Sequence, residues 1–94
     1  MSNGQIEFNN ACKTGDINFV KEHADNVNVF NRNSHAINLA SSNGHLEVVK
    51  WLVTNFYTSK RKELGFAYFM SIENNHSDVT KYLKEYLINS HIML

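Results

Sequence analysis

A turn followed by the start of a helix recurs three times in this chain at nearly constant spacing. Gly15-Asp16-Ile17 leads into Phe19-Val20-Lys21. Gly44-His45-Leu46 leads into Val48-Val49-Lys50, and Asn75-His76-Ser77 leads into Val79-Thr80-Lys81. The offsets are 29 and 31 residues. A unit this short cannot bury its own apolar face, so repetition implies a stack in which each unit is covered by the next. Such a solenoid presents a surface more readily than a pocket.

Each unit reads as two short helices joined by the turn. In the middle unit Ala36, Ile37, Leu39 and Ala40 form a small-residue helix. Ser42-Asn43-Gly44 breaks it, with glycine supplying the left-handed conformation that other residues resist. Leu46, Val49, Leu52, Val53 and Phe56 then recur at three- and four-residue spacing, which gives the second helix one apolar face. Glu47 suits its first turn, with Lys50 close after it.

The first unit carries Ile6, Phe8, Ala11 and Cys12 on one helix, then Ile17, Val20 and Ala24 on another that lasts about two turns. Asp16 is placed to cap that second helix. An extended, turn-rich connector is predicted over 27–34. The third unit has Phe66, Tyr68, Phe69, Met70 and Ile72 on its first helix, Asn74-Asn75 at the turn, and Ser77 as N-cap. Val79, Tyr82, Leu83, Tyr86 and Leu87 line its second helix. The polar run from Tyr57 to Glu63 between units two and three is expected to be exposed.

Bulk properties set the outer bounds. Ninety-four residues allow one domain, and 43% hydrophobic content allows a modest core. Nine basic residues balance nine acidic ones, so no global field points to nucleic acid or membrane. A single cysteine, Cys12, cannot form an internal disulfide, which fits a reducing compartment. The polar N-terminal residues lack an apolar signal segment, and no apolar run approaches a membrane span. A cytoplasmic or nuclear, non-secreted protein is expected. Asparagine is frequent, at 14 of 94 residues, and proline is absent.

The repeats resemble ankyrin repeats, whose pattern runs T-P-L-H-L-A-A-x-x-G-H-L-E-V-V-K-L-L-L and then G-A-D-V-N. Gly44 to Lys50 is an uninterrupted match to G-H-L-E-V-V-K, and His35 to Ser41 takes the place of T-P-L-H-L-A-A. Ala11 to Ile17 aligns with A-A-x-x-G-H-L, and Ala24-Asp25 with Val27-Asn28 resembles A-D-V-N. Asn75 to Leu83 aligns with the second-helix segment of the third repeat. The divergent form is similar to arrays common in amoebae and their giant viruses. The resemblance implies an all-α solenoid of three helix-turn-helix units with short connectors, spanning approximate repeats 4–30, 31–60 and 61–94. The repeats fall short of the family period of about 33, so clipped hairpin tips are expected. The family's Thr–His pair is replaced by His35 and Asn38, where an equivalent bond can form, and by Phe66 and Phe69, where it cannot.

Candidate chemistry is sparse. Five histidines, His23, His35, His45, His76 and His91, are spread one per element, whereas zinc needs three or four converging ligands. No metal and no cofactor are therefore predicted. Cys12 takes the place of a small core residue, so an inert thiol is expected rather than a nucleophile. No phosphate-cradling loop is present, and no local Ser-His-acid arrangement is suggested. An enzyme is not expected. Lys60-Arg61-Lys62 is the one basic cluster, with Glu63 beside it. The aromatic set of the last third, Tyr57, Phe66, Tyr68, Phe69, Tyr82 and Tyr86, is expected to be mostly core. Some rings are left for a binding patch, or for cover by the tail from Ile88 to Leu94.

The resemblance implies a protein-interaction module that takes a protein partner across the concave surface of first helices and connector tips. The matching positions are Lys13, Thr14, Asn31, Arg32, Ser34, Ser42, Asn43, Lys60, Lys62, Glu73 and Asn74. Two alternatives stand beside it: a minimal or leftover array with no specific ligand, and weak nucleic-acid binding through Lys60–Lys62. A small-molecule substrate and a membrane are not expected partners, and nucleic acid is disfavoured.

Overall fold

The computed structural model describes residues 3–92, with side chains over 4–89. Six α-helices follow in order: α1 (Asn3–Thr14), α2 (Ile17–His23), α3 (Asn31–Ser42), α4 (Leu46–Phe56), α5 (Gly65–Glu73) and α6 (Ser77–Ile92). Short 3-10 turns follow α2 (Ala24–Asn26) and precede α5 (Arg61–Leu64). Among the described residues there is no strand. Consecutive helices pair as hairpins. The first helices α1, α3 and α5 pack in one row and the second helices α2, α4 and α6 in another. This is a helical solenoid, 39 × 28 × 21 Å.

The three hairpin turns share one backbone design. The N–H just past each turn reaches the carbonyl five residues earlier: Asp16 to Ala11, His45 to Ala40 and His76 to Ser71, each at 2.9 Å. That bond satisfies a carbonyl that the helix end would otherwise orphan. It requires a left-handed residue at the turn, and Gly15 (φ 85°), Gly44 (φ 77°) and Asn75 (φ 61°) supply it. Side-chain caps add to this where the backbone leaves a donor free. Asp16 Oδ1 accepts the Phe19 N–H at 3.2 Å, as expected of an N-cap. Helix α6 begins at Ser77 itself, so Ser77 is inside the helix rather than its cap, and Asp78 Oδ1 takes the Val79 N–H at 2.8 Å.

The turns are also where successive repeats meet. The His45 ring lies against Gly15 and the His76 ring against Gly44. A methyl built on Gly15 would fall 2.5 Å from His45 Nδ1, and one on Gly44 would approach His76 Nδ1 more closely still. Glycine is needed at both places twice over: for positive φ, and for room to seat the imidazole of the next repeat.

The core is continuous through the stack. Phe8, Cys12, Val20, Ile37, Ala40, Val49, Leu52, Val53, Leu64, Ala67, Val79 and Leu83 are all fully buried. Burial of the apolar face at successive interfaces supplies the main stabilisation. At the last repeat the pattern changes. Thr80 and Lys84 stand where the middle repeat has the buried Val49 and Val53. Thr80 Oγ1 meets Ser71 Oγ at 2.7 Å and donates to the His76 carbonyl at 3.1 Å. The tail segment continues α6 through Ile92, with Leu87 packed against the core and Ile88 exposed. Met93 and Leu94 lie outside the described residues.

Two expectations are corrected. Tyr57 does not belong to an exposed connector: it is fully buried, with the edge-on Phe30 ring 5.2 Å away. Burial pushes its phenol up to about 12. Its hydroxyl faces that of Ser34, also buried, but the two do not form a well-aligned hydrogen bond. The segment predicted as extended connector ends in three consecutive left-handed residues, Arg32 (φ 55°), Asn33 (φ 55°) and Ser34 (φ 64°), so regular right-handed helix begins at His35.

Gly44→Ala is expected to lower stability by at least about 1–2 kcal/mol, the cost of left-handed backbone for a residue with a Cβ, with the His76 clash added. Removing the ring in the Gly44→Ala/His76→Ala pair should recover the clash and leave the backbone cost. A double-mutant cycle in denaturant melts measures that coupling. A second expectation concerns alkaline pH. The phenol of Tyr57 is raised in the folded state, so the native chain holds a proton that the unfolded chain releases near pH 10. Stability should therefore fall as pH rises from about 10 to about 12. Tyr57→Phe should make that slope shallower, leaving the share contributed by Cys12, whose thiol burial also pushes up to about 12.

Candidate functional site

Side chains that α1, α3 and α5 turn away from the core form one face of the stack, and two adjoining hollows cross it. The first, of about 370 Å³, is lined by Gln5, Ile6, Asn9, Asn10 and Lys13 of α1 and by Asn31, Arg32, His35 and Leu39 of α3. The second, of about 400 Å³, is lined by Arg32, Asn33, His35, Asn38, Leu39 and Ser42 of α3 and by Phe66 and Met70 of α5. Arg32, His35 and Leu39 line both, so the hollows form a single groove with these residues on its central ridge.

The left-handed turn places Arg32 there. Ser34, 2% exposed, anchors the turn in the core, and Asn38 Nδ2 donates to the Asn33 carbonyl at 3.2 Å. Asn38 is thus committed to the turn instead of pairing with His35, and His35 is left facing the groove. Arg32 and Lys13 are both exposed, and neither forms an ion pair among the described residues.

The predicted surface positions separate into groups. Lys13, Asn31, Arg32 and Ser42 converge on the groove. Ser34 leaves the set, because its side chain points inward to Tyr57. Asn43 and Asn74 are exposed, but their amides turn back onto the Leu39 and Met70 carbonyls of their own helices, each at 2.8 Å. Thr14 does the same more weakly, to the Ala11 carbonyl at 3.4 Å. Glu73 is exposed at the end of α5, outside either hollow. Lys60 and Lys62 border a separate hollow with Ser59, Arg61 and Glu63. The Lys60 ammonium is 3.9 Å from Glu63 and 5.0 Å from the centre of the Phe30 ring, so much of its charge is locally answered.

Sequence reasoning missed His35, Leu39, Ile6 and Met70 as groove residues, and it named Phe66 only within an aromatic set from which some rings were left for a binding patch. The first two fill positions of the family's helical signature, which reads as packing. Phe66 is 58% exposed while Ala67, its neighbour, is fully buried. Helical phase along α5 is the signal that could have separated them.

Other chemistry has little to build on. Among the described residues no group of three His, Cys, Asp or Glu side chains is placed to hold a metal. His23 stacks on Phe19 at 4.1 Å, and His45 and His76 are seated in the turns. The His91 side chain lies outside the described set. Cys12 is buried, and desolvation pushes its thiol up to about 12. On the opposite face a hollow of about 500 Å³ joins Ile17, Lys21, Glu47, Lys50, Trp51, Thr54 and Tyr82. There Glu47 offsets the lysines, and Lys50 sits 5.7 Å from the Tyr82 ring.

A family model of ankyrin repeats in three copies matches residues 8–93. No curated protein and no solved structure gives a significant match. Among the described residues, no helix is long and apolar enough to cross a membrane.

A thiol held this far up carries almost no thiolate at neutral pH. Cys12 should therefore resist a soluble disulfide reagent in the native state and react at once in denaturant. Mass spectrometry of the labelled chain distinguishes the two.

Proposed function

The chain belongs to the ankyrin-repeat family, and on that premise we propose that it is a non-enzymatic protein-interaction module. Its partner is taken across the groove on α1, α3 and α5. Ankyrin repeats generally serve protein–protein interaction, and the finer assignment of the face rests on one observation. Arg32, held in a left-handed turn by its neighbours, sits at the junction of two hollows that span all three repeats. Backbone strain of this kind persists only where surrounding structure over-determines it, and it concentrates at sites of recognition. The groove also supplies what an interface core needs, exposed apolar anchors flanked by polar groups that fix orientation.

Arg32→Asn tests the assignment without disturbing the fold, because asparagine adopts left-handed backbone more readily than arginine. Combined with Lys13→Gln, it should remove a partner that the wild-type chain captures from cell lysate, with the thermal midpoint unchanged or raised. Equal capture by the double variant would contradict the assignment. So would loss of the partner in the opposite-face variant Lys21→Gln/Lys50→Gln instead.

A further inference from the structure

We infer that the occupant of the groove is an acidic, apolar protein segment, in which a carboxylate pairs with Arg32 between bulky side chains that pack on Ile6 and Phe66. The inference rests on the reading of this face as the binding surface and adds the chemistry of its partner.

Charge is the first reason. The chain as a whole is neutral, yet neither hollow contains an aspartate or a glutamate. The cations facing the groove, Lys13 and Arg32, have no ion-pair partner among the described residues. The groove therefore carries uncompensated positive charge on a neutral chain. A guanidinium at the junction of the two hollows offers a planar fork that matches a carboxylate bidentately.

The arrangement of apolar surface is the second. Ile6 is 49% exposed in one hollow and Phe66 is 58% exposed in the other, with Leu39 between them. A ligand that satisfies Arg32 and covers both ends must alternate charge with bulk, as a peptide does. A nucleic-acid strand would need a run of cations tracking its phosphates. The basic cluster at 60–62 lies in a different hollow and is partly answered by Glu63 and Phe30.

The probe is a displayed library of random dodecapeptides, selected on the full chain and counter-selected on Arg32→Asn. Enriched sequences should combine Asp or Glu with Leu, Phe or Trp. Synthesised singly, they should weaken about tenfold on Arg32→Asn, the scale of a lost charge-assisted hydrogen bond. They should weaken again on Phe66→Ala and with added salt. Enrichment without acidic bias, lost on Phe66→Ala, would overturn the inference and leave the binding face standing. No enrichment, or enrichment indifferent to both variants, would overturn inference and face together. Tighter binding of a single-stranded dodecathymidylate than of any selected peptide, abolished by Arg32→Asn, would replace the acidic segment with nucleic acid.

Discussion

An imidazole seated against a glycine sets the spacing of this stack. His45 lies against Gly15 and His76 against Gly44, with no room for a Cβ at either glycine. The contact forms only because each turn already holds a left-handed residue, closed by the bond to the carbonyl five residues back. Local turn geometry and inter-repeat packing are thus one constraint. The first and third turns each depart from it at one position. Asp16 caps α2 where later repeats carry histidine. Asn75 supplies the left-handed residue of the third turn in place of glycine.

That spacing in turn creates the groove. Rows of short helices held at a fixed separation leave hollows between α1, α3 and α5, while the buried residues of the same helices form the core. The segment leading into α3 contributes most. Ser34 is drawn into the interior beside Tyr57, and the chain must turn left-handed through Arg32 and Asn33 to admit it. The same turn brings Arg32 out over the groove. Packing on one side of the segment thereby sets recognition on the other.

The helices and their turns were legible because helical periodicity and turn chemistry act locally. Gly15, Gly44 and Asn75 announced left-handed turns, Asp16 announced a cap, and the stripe on α4 announced a buried face. The burial of Tyr57 was legible only in part, from its place in an aromatic set that reads as mostly core. It opens a polar run, and only its approach to Phe30 and Ser34, 27 and 23 residues away in sequence, draws it inward. The left-handed run through Arg32 was hidden for a similar reason, since it contains no glycine. Asn43 and Asn74 look like surface contacts in sequence, but each spends its amide on its own helix. Composition likewise could not say which aromatics stay out. Phe66 and Phe69 remain about half exposed while Tyr57 does not, and a three-dimensional stack decides that.

The central claim is that binding belongs to the face of α1, α3 and α5. Amide chemical shifts of the labelled chain, recorded with and without a bound partner segment, test it most directly. The account predicts the largest changes at Ile6, Arg32, His35, Leu39 and Phe66, with α2, α4 and α6 nearly silent. Changes concentrated around Lys21, Lys50 and Tyr82 would contradict it and move recognition to the opposite face.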